Sequence, residues 1–197
     1  MEHKNLWMLV GPPAAGKSWF AKHKLMIGPG WIYVSRDEIR FSLVKEEEDY
    51  FSHEKEVYKK FIYNIYSALN SEGIFNVIAD ATHLNWASRN KLITNLKKIY
   101  RDFEYLNIIP VVVESDIETV LKRNDARIGR AKVMESAVRA MFSQYTDPTT
   151  DPYEYTGIMY VKNEEKKTLI DKSKFMYKKD DIHMKEYTIK DTLKRKG

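Results

Sequence analysis

The chain has 197 residues, 43% of them hydrophobic and 31% charged, which suits one compact domain with a sheet buried between helices. No apolar run approaches the roughly 20 residues that span a bilayer, so no membrane partner is expected, and the short polar start leaves no room for a cleavable leader, which points to the cytoplasm. Cysteine is absent, which excludes disulfides and thiolate metal sites, and the whole net charge of +5 lies in residues 161–197, with 12 Lys/Arg against 7 Asp/Glu.

Apolar, β-branched runs alternate with longer amphipathic segments, the order of an α/β protein with a parallel sheet. The first strand is expected over residues 6–10 and a helix over 17–26. A second strand follows at 31–34, after the Gly28-Pro29-Gly30 break, with a short helix over 37–44. A long helix over 53–70 carries Val57, Phe61, Ile65 and Leu69 every four residues, the stripe that a helix buries against a sheet. The third strand is expected at 76–79, with a helix over 86–101. The fourth falls within 106–113, where Pro110 argues for an edge position or a late start. Helices over 117–127 and 133–145 and a Pro/Thr/Asp-rich connection lead to the fifth strand at 158–161. These elements predict an α/β fold of three layers, with a central, mostly parallel five-stranded sheet flanked by helices. One domain is expected over 1–161, with a lid around 122–135. Residues 162–197 form a basic extension: a helix, a hairpin or a solvated tail. A lysine-rich terminus does not by itself establish a nucleic-acid partner.

Between the first strand and the first helix stands Gly11-Pro12-Pro13-Ala14-Ala15-Gly16-Lys17-Ser18, the pattern G-x-x-x-x-G-K-[ST]. Its glycines let the backbone curl so that successive N–H groups surround phosphates, and the helix N-terminus adds positive potential. A nucleoside triphosphate, ATP in the simplest case, would therefore be held by Gly11, Ala14, Ala15, Gly16, Lys17, Ser18 and Trp19. Lys17 would reach the β- and γ-phosphates, and Ser18 would offer its hydroxyl to Mg²⁺.

After the second strand, Ser35 and Glu38 form an S-x-x-E capping box, and Asp37 suits a helix N-terminus. The same segment supports a functional reading. Arg40 shares the helical face of Asp37, and a carboxylate with a guanidinium beside the phosphate loop could accept an alcohol proton and hold an acceptor phosphate. The third strand ends in Asp80-Ala81-Thr82-His83-Leu84-Asn85. Asp80 stands where P-loop proteins orient Mg²⁺, directly or through water, and Thr82 and His83 are expected to face the acceptor; as alternatives, Asp80 caps a turn and His83 is ordinary loop polarity. Farther on, Arg123, Arg127 and Arg130 share one face if the helix persists, either as a solvated basic face or as a lid that brings arginine to the transferred phosphoryl group.

Together, the loop at 11–18, Ser35 to Arg40, Asp80 to Asn85, and Lys122-Arg123-Asn124 with Arg127 resemble the kinase domain of the bacteriophage polynucleotide kinase family, over roughly residues 5–160. The resemblance implies a P-loop NTPase fold of kinase type over 1–161, and transfer from ATP to the 5′-hydroxyl of a DNA or RNA end. It makes Asp37 the general base, Arg40 the grip on the neighbouring 3′-phosphate, and Lys17 and Arg127 the stabilisers of the γ-phosphoryl group. Ser18 becomes the metal ligand and Arg123 a second lid arginine, while Arg130 has no counterpart. The D-x-D-G-T motif of the family's 3′-phosphatase domain is absent, so kinase activity alone is expected. Small-molecule, nucleoside and nucleotide kinases share the loop and the aspartate after the second strand, and form the alternative. A nucleotide-dependent ATPase or switch is a further one. The chain lacks N-K-x-D, and D-x-x-G after the third strand, which argues against a GTPase.

Overall fold

The computed structural model of the chain describes residues 3–164, 167–170 and 176–177. Five of its apolar runs pair side by side as parallel strands: β1 (Lys4–Val10), β2 (Trp31–Ser35), β3 (Asn76–Asp80), β4 (Leu106–Glu114) and β5 (Gly157–Glu164), in the order β2-β3-β1-β4-β5. Two short strands, β6 (Lys167–Ile170) and β7 (Met176–Tyr177), then pair antiparallel with β5. The extension expected over 162–197 lies largely outside the described residues.

Alternation along β1 divides the interior in two. Leu6, Met8 and Val10 point into one core with α2 (Arg36–Leu43), α3 (Glu54–Leu69) and α4 (Trp86–Ile99). Trp7 and Leu9 point into the other, with α1 (Lys17–Phe20), α5 (Ile117–Asp125) and α6 (Glu135–Ser143). A sheet covered on both faces needs nearly continuous apolar strands, and β1 and β4 have them. The α3 stripe of Val57, Phe61, Ile65 and Leu69 is buried, each such side chain contributing about 1.5–3 kcal/mol.

Two local expectations are corrected. Pro110 lies inside an interior strand, opposite Met8 of β1, with β5 on the other side. It is tolerated there because of parity. Ile108, two residues earlier, directs both backbone groups towards Thr156, whose N–H donates to the Ile108 carbonyl at 3.2 Å and whose Oγ1 accepts its N–H at 3.3 Å. The missing N–H of Pro110 therefore faces the β5 side, where the ladder begins only at Val111 and Met159. The helix expected over 17–26 is α-helical for one turn, then widens to a π segment at Ala21–Leu25. Its apolar positions Phe20, Ala21 and Leu25 stay buried, so periodicity alone could not signal the change.

The phosphate loop, the start of α2 and the segment after Asp80 follow β1, β2 and β3 respectively, so all three emerge at the carboxyl edge of the sheet, where open α/β folds bind ligands.

Candidate active site

The loop from Gly11 to Ser18 leaves β1 through backbone that only a glycine adopts comfortably. Gly11 has φ of 149° and Gly16 95°, and a Cβ on Gly11 would come within 3.0 Å of the Val113 carbonyl oxygen. Its N–H donates to the Thr82 carbonyl at 3.0 Å, tying the loop to the segment after β3. Lys17 is buried, and its Nζ donates to the carbonyls of Gly11 and Pro12, each at 2.9 Å. Burial pushes its pKa down, while Asp80 and Asp37 raise it and Arg127 lowers it further. Those three charges thus share one electrostatic neighbourhood with the lysine. Trp19, in the first turn of α1, is 46% exposed and stacks on His23 with ring centroids 5.1 Å apart.

Ser18 Oγ donates to Asp80 Oδ2 at 2.6 Å, and the Tyr33 hydroxyl donates to the same oxygen. A serine hydroxyl and a carboxylate beside a phosphate loop are hard oxygen donors, a set that fits Mg²⁺. His83, three residues on, is turned elsewhere. It is buried with φ of 42°, and its Nδ1–H donates to the Leu9 carbonyl at 2.9 Å. Burial pushes its pKa down to about 4, so the ring is neutral and braces β1 instead of facing the acceptor.

At the head of α2, Ser35 Oγ accepts the Glu38 N–H at 3.2 Å, but the Glu38 carboxylate pairs with Lys22 at 2.8 Å, so the capping box is one-sided. Asp37 is exposed, whereas Arg40 is buried beneath it. Arg40 Nη1 donates to Asp37 Oδ1 at 2.7 Å and to the Tyr50 hydroxyl oxygen at 3.1 Å, and Nη2 donates to Glu54 Oε2 at 2.6 Å. The Tyr50 hydroxyl donates to Asp37 Oδ1 at 3.1 Å, and Arg36 donates to the other Glu54 oxygen. Burial pushes the Glu54 carboxyl up, but its bonds to Arg40 and Arg36 outweigh this and hold it below the usual range. Asp37 is therefore a fixed, solvent-facing carboxylate on a buried guanidinium. A groove of about 440 Å³ runs on the opposite face of α2, between Ser35, Glu38 and Ser42 and the α3 residues Lys60 and Asn64. Arg40 does not line it.

The helix carrying Arg123 ends at Asp125, so Arg127 and Arg130 diverge from its face. Arg127 Nη1 donates to the Ala131 carbonyl at 3.1 Å, within the turn, while both Nη atoms of Arg130 donate to the Val44 carbonyl at 3.0 Å, at the far end of α2. The segment after α5 thereby reaches across to the element that holds Asp37. Sequence reading missed Tyr33 and Glu54, whereas Tyr50 stood out only as one of several aromatics open to stacking. The first two had ordinary explanations in the chain, as strand core and first-turn acid, and only the folded contacts distinguish them.

The family described as AAA domain matches residues 6–148, well over half of the chain. No curated protein is significantly similar to it in sequence. Among solved structures, it is similar to a chain of the Pnkp1/Rnl/Hen1 RNA repair complex, with 25% identity and a TM-score of 0.60, over 73% of this chain and 44% of that one. It is also similar in fold to a fungal RNA kinase, with 13% identity and a TM-score of 0.60, over 85% of this chain and 78% of that one. It spans less than half the length of the RNA repair chain.

Proposed function

The chain belongs to the AAA domain family, and on that premise we propose that it is an ATP-dependent kinase acting on the 5′-hydroxyl of a polynucleotide, without a 3′-phosphatase activity of its own. The observation that carries this reading is the meeting of two half-sites. Asp37, fixed by Arg40 and Tyr50 at the head of α2, stands at the same carboxyl edge of the sheet as the phosphate loop and Asp80, which Ser18 ties to that loop. A phosphate loop alone would serve any nucleotide-binding protein. An exposed carboxylate fixed at the same sheet edge, outside the loop, gives an alcohol a place to lose its proton.

In the proposed reaction the backbone N–H groups from Ala14 to Trp19 cradle the triphosphate. Asp37 takes the proton of the acceptor hydroxyl, whose oxygen forms a bond to the γ-phosphorus as the bond to the β-phosphate oxygen breaks. Lys17 leaves the Gly11 and Pro12 carbonyls for the transferring group, and Arg127 and Arg123 close on it from the lid. Ser18 and Asp80 would hold Mg²⁺, directly or through water, and the ion when bound neutralises phosphate charge. Arg40 has a positioning role on Asp37 through Nη1. A neighbouring acceptor phosphate would compete with the Tyr50 hydroxyl for that nitrogen. His83 and its bond to Leu9 stay outside the chemistry.

Likeness to the RNA repair chain at 25% identity supports a nucleic-acid acceptor over a metabolite. The test offers γ-labelled ATP and Mg²⁺ with a 5′-hydroxyl oligonucleotide, free nucleosides and 3′-nucleoside monophosphates. Label is expected on the oligonucleotide and is lost in Asp37→Ala. Label confined to nucleosides would establish the small-molecule alternative, and label only in inorganic phosphate would establish an ATPase.

A further inference from the structure

Beside Asp37 the fold leaves aromatic rings open to water. Phe41 follows Asp37 by one helical turn and is 44% exposed, and Phe51 is 61% exposed. Tyr50 joins them, its ring centroid 6.1 Å from Phe41 and 4.9 Å from Phe51, edge to face in both pairs. Guanidinium groups back the cluster: Arg40 lies 4.6 Å from the Tyr50 centroid and 5.5 Å from that of Phe51, and Arg130 lies 5.4 Å from Phe41. The Tyr50 hydroxyl bonds Asp37 itself, so the cluster is one hydrogen bond from the carboxylate. Two exposed phenyl rings in one contiguous group, beside a charged site, forgo burial that the core could have given them. Flat apolar faces braced by arginine are what a heteroaromatic ring stacks upon.

We infer that Phe41, Tyr50 and Phe51 form a stacking platform for the base of the acceptor's 5′-terminal nucleotide. This rests on the proposed transfer to a polynucleotide 5′-hydroxyl. Stacking puts the base against the rings while the hydroxyl on the same nucleotide reaches Asp37. Arg130, bonded to Val44 and packed on Phe41, brings the segment after α5 onto the same platform. Phe41 and Phe51 carry no hydrogen-bonding group to read a base edge, so the platform accepts any base and rejects its absence.

The full-length protein is given two acceptors with γ-labelled ATP and Mg²⁺: a 5′-hydroxyl oligonucleotide, and the same oligonucleotide with an abasic 5′-terminal residue. The abasic acceptor is expected to have a KM about tenfold higher or more, the factor that stacking of one base supplies. Phe51→Ala should raise KM for the ordinary acceptor towards the abasic value, change kcat much less, leave KM for ATP unaltered, and be rescued by Phe51→Trp. Equal KM for both acceptors in the wild type, or an equal rise for both in Phe51→Ala, overturns the platform while leaving the kinase reading intact. Label on neither acceptor overturns both.

Discussion

His83 makes the fold sensitive to acid at a single residue. Its ring is enclosed between the Leu9 carbonyl and Phe61, and burial pushes its pKa down to about 4. In the unfolded chain the same ring titrates near 6.5. Between these values the unfolded chain takes up a proton that the folded one refuses, so stability present above pH 6.5 is lost as pH falls towards 4, by up to about 3 kcal/mol. Urea unfolding at pH 7.5 and pH 5 should show a fall of roughly 2 kcal/mol from this group, and His83→Gln should remove most of it. If the variant keeps the full acid dependence, another group is responsible. The same residue marks what sequence could show. Lys17 and Ser18 were legible because a phosphate loop fixes residue types at fixed spacing, and Asp37 because it follows a strand beside that loop. Whether a histidine after β3 faces a ligand or a backbone carbonyl depends on a left-handed residue in a turn, and no spacing encodes that.

Among the elements, α4 and the connection before β5 are locked by one buried ion pair. Arg89 is fully buried, its Nε and Nη2 each donating to Asp151 at 2.6 Å and its Nη1 to the His83 carbonyl at 3.0 Å. Tyr155 donates to the same aspartate at 2.6 Å. Removing only the acid strands a guanidinium in the core, so Asp151→Ala should lose about 3–5 kcal/mol in denaturant unfolding. Arg89→Met combined with Asp151→Ala should recover much of that loss, because no buried charge is then left without a partner. A double variant as unstable as the single one would mean that the Arg89 hydrogen bonds to the His83 carbonyl and to Thr146 Oγ1, each at 3.0 Å, hold the junction, not charge. In the chain, Arg89 falls within the helix expected over 86–101 and Asp151 within the Pro/Thr/Asp-rich connection before the fifth strand, with nothing to pair them. Strands and helices could be traced because burial imposes periods of two and 3.6 on apolar residues. A polar pair 62 positions apart leaves no such trace, and neither does the parity that lets Pro110 sit inside the sheet.

Across the whole molecule, the sheet brings two chemically separate half-sites to one edge, so donor binding and acceptor chemistry should be separable by mutation. On the proposed reading the donor side is the phosphate loop with Lys17, Ser18 and Asp80, and the acceptor side is Asp37 on its Arg40–Tyr50 support. A ligand that binds only the folded state at 100 times its Kd stabilises it by about 2.7 kcal/mol, which for a chain of this size raises Tm by roughly 5–10 °C. Mg²⁺ with a non-hydrolysable ATP analogue should produce that rise in the wild type. Lys17→Met should lose most of it, although the nucleotide-free variant should be no less stable, because the substitution removes a buried charge whose pKa burial has already pushed down. Asp37→Asn should keep the full thermal shift and lose transfer by roughly 100-fold or more, the range expected of a general base. Loss of the thermal shift in Asp37→Asn would merge the half-sites into one and reassign Asp37 to donor binding. Retention of transfer in that variant, with the shift intact, would remove Asp37 from the role of general base while leaving the donor side as proposed.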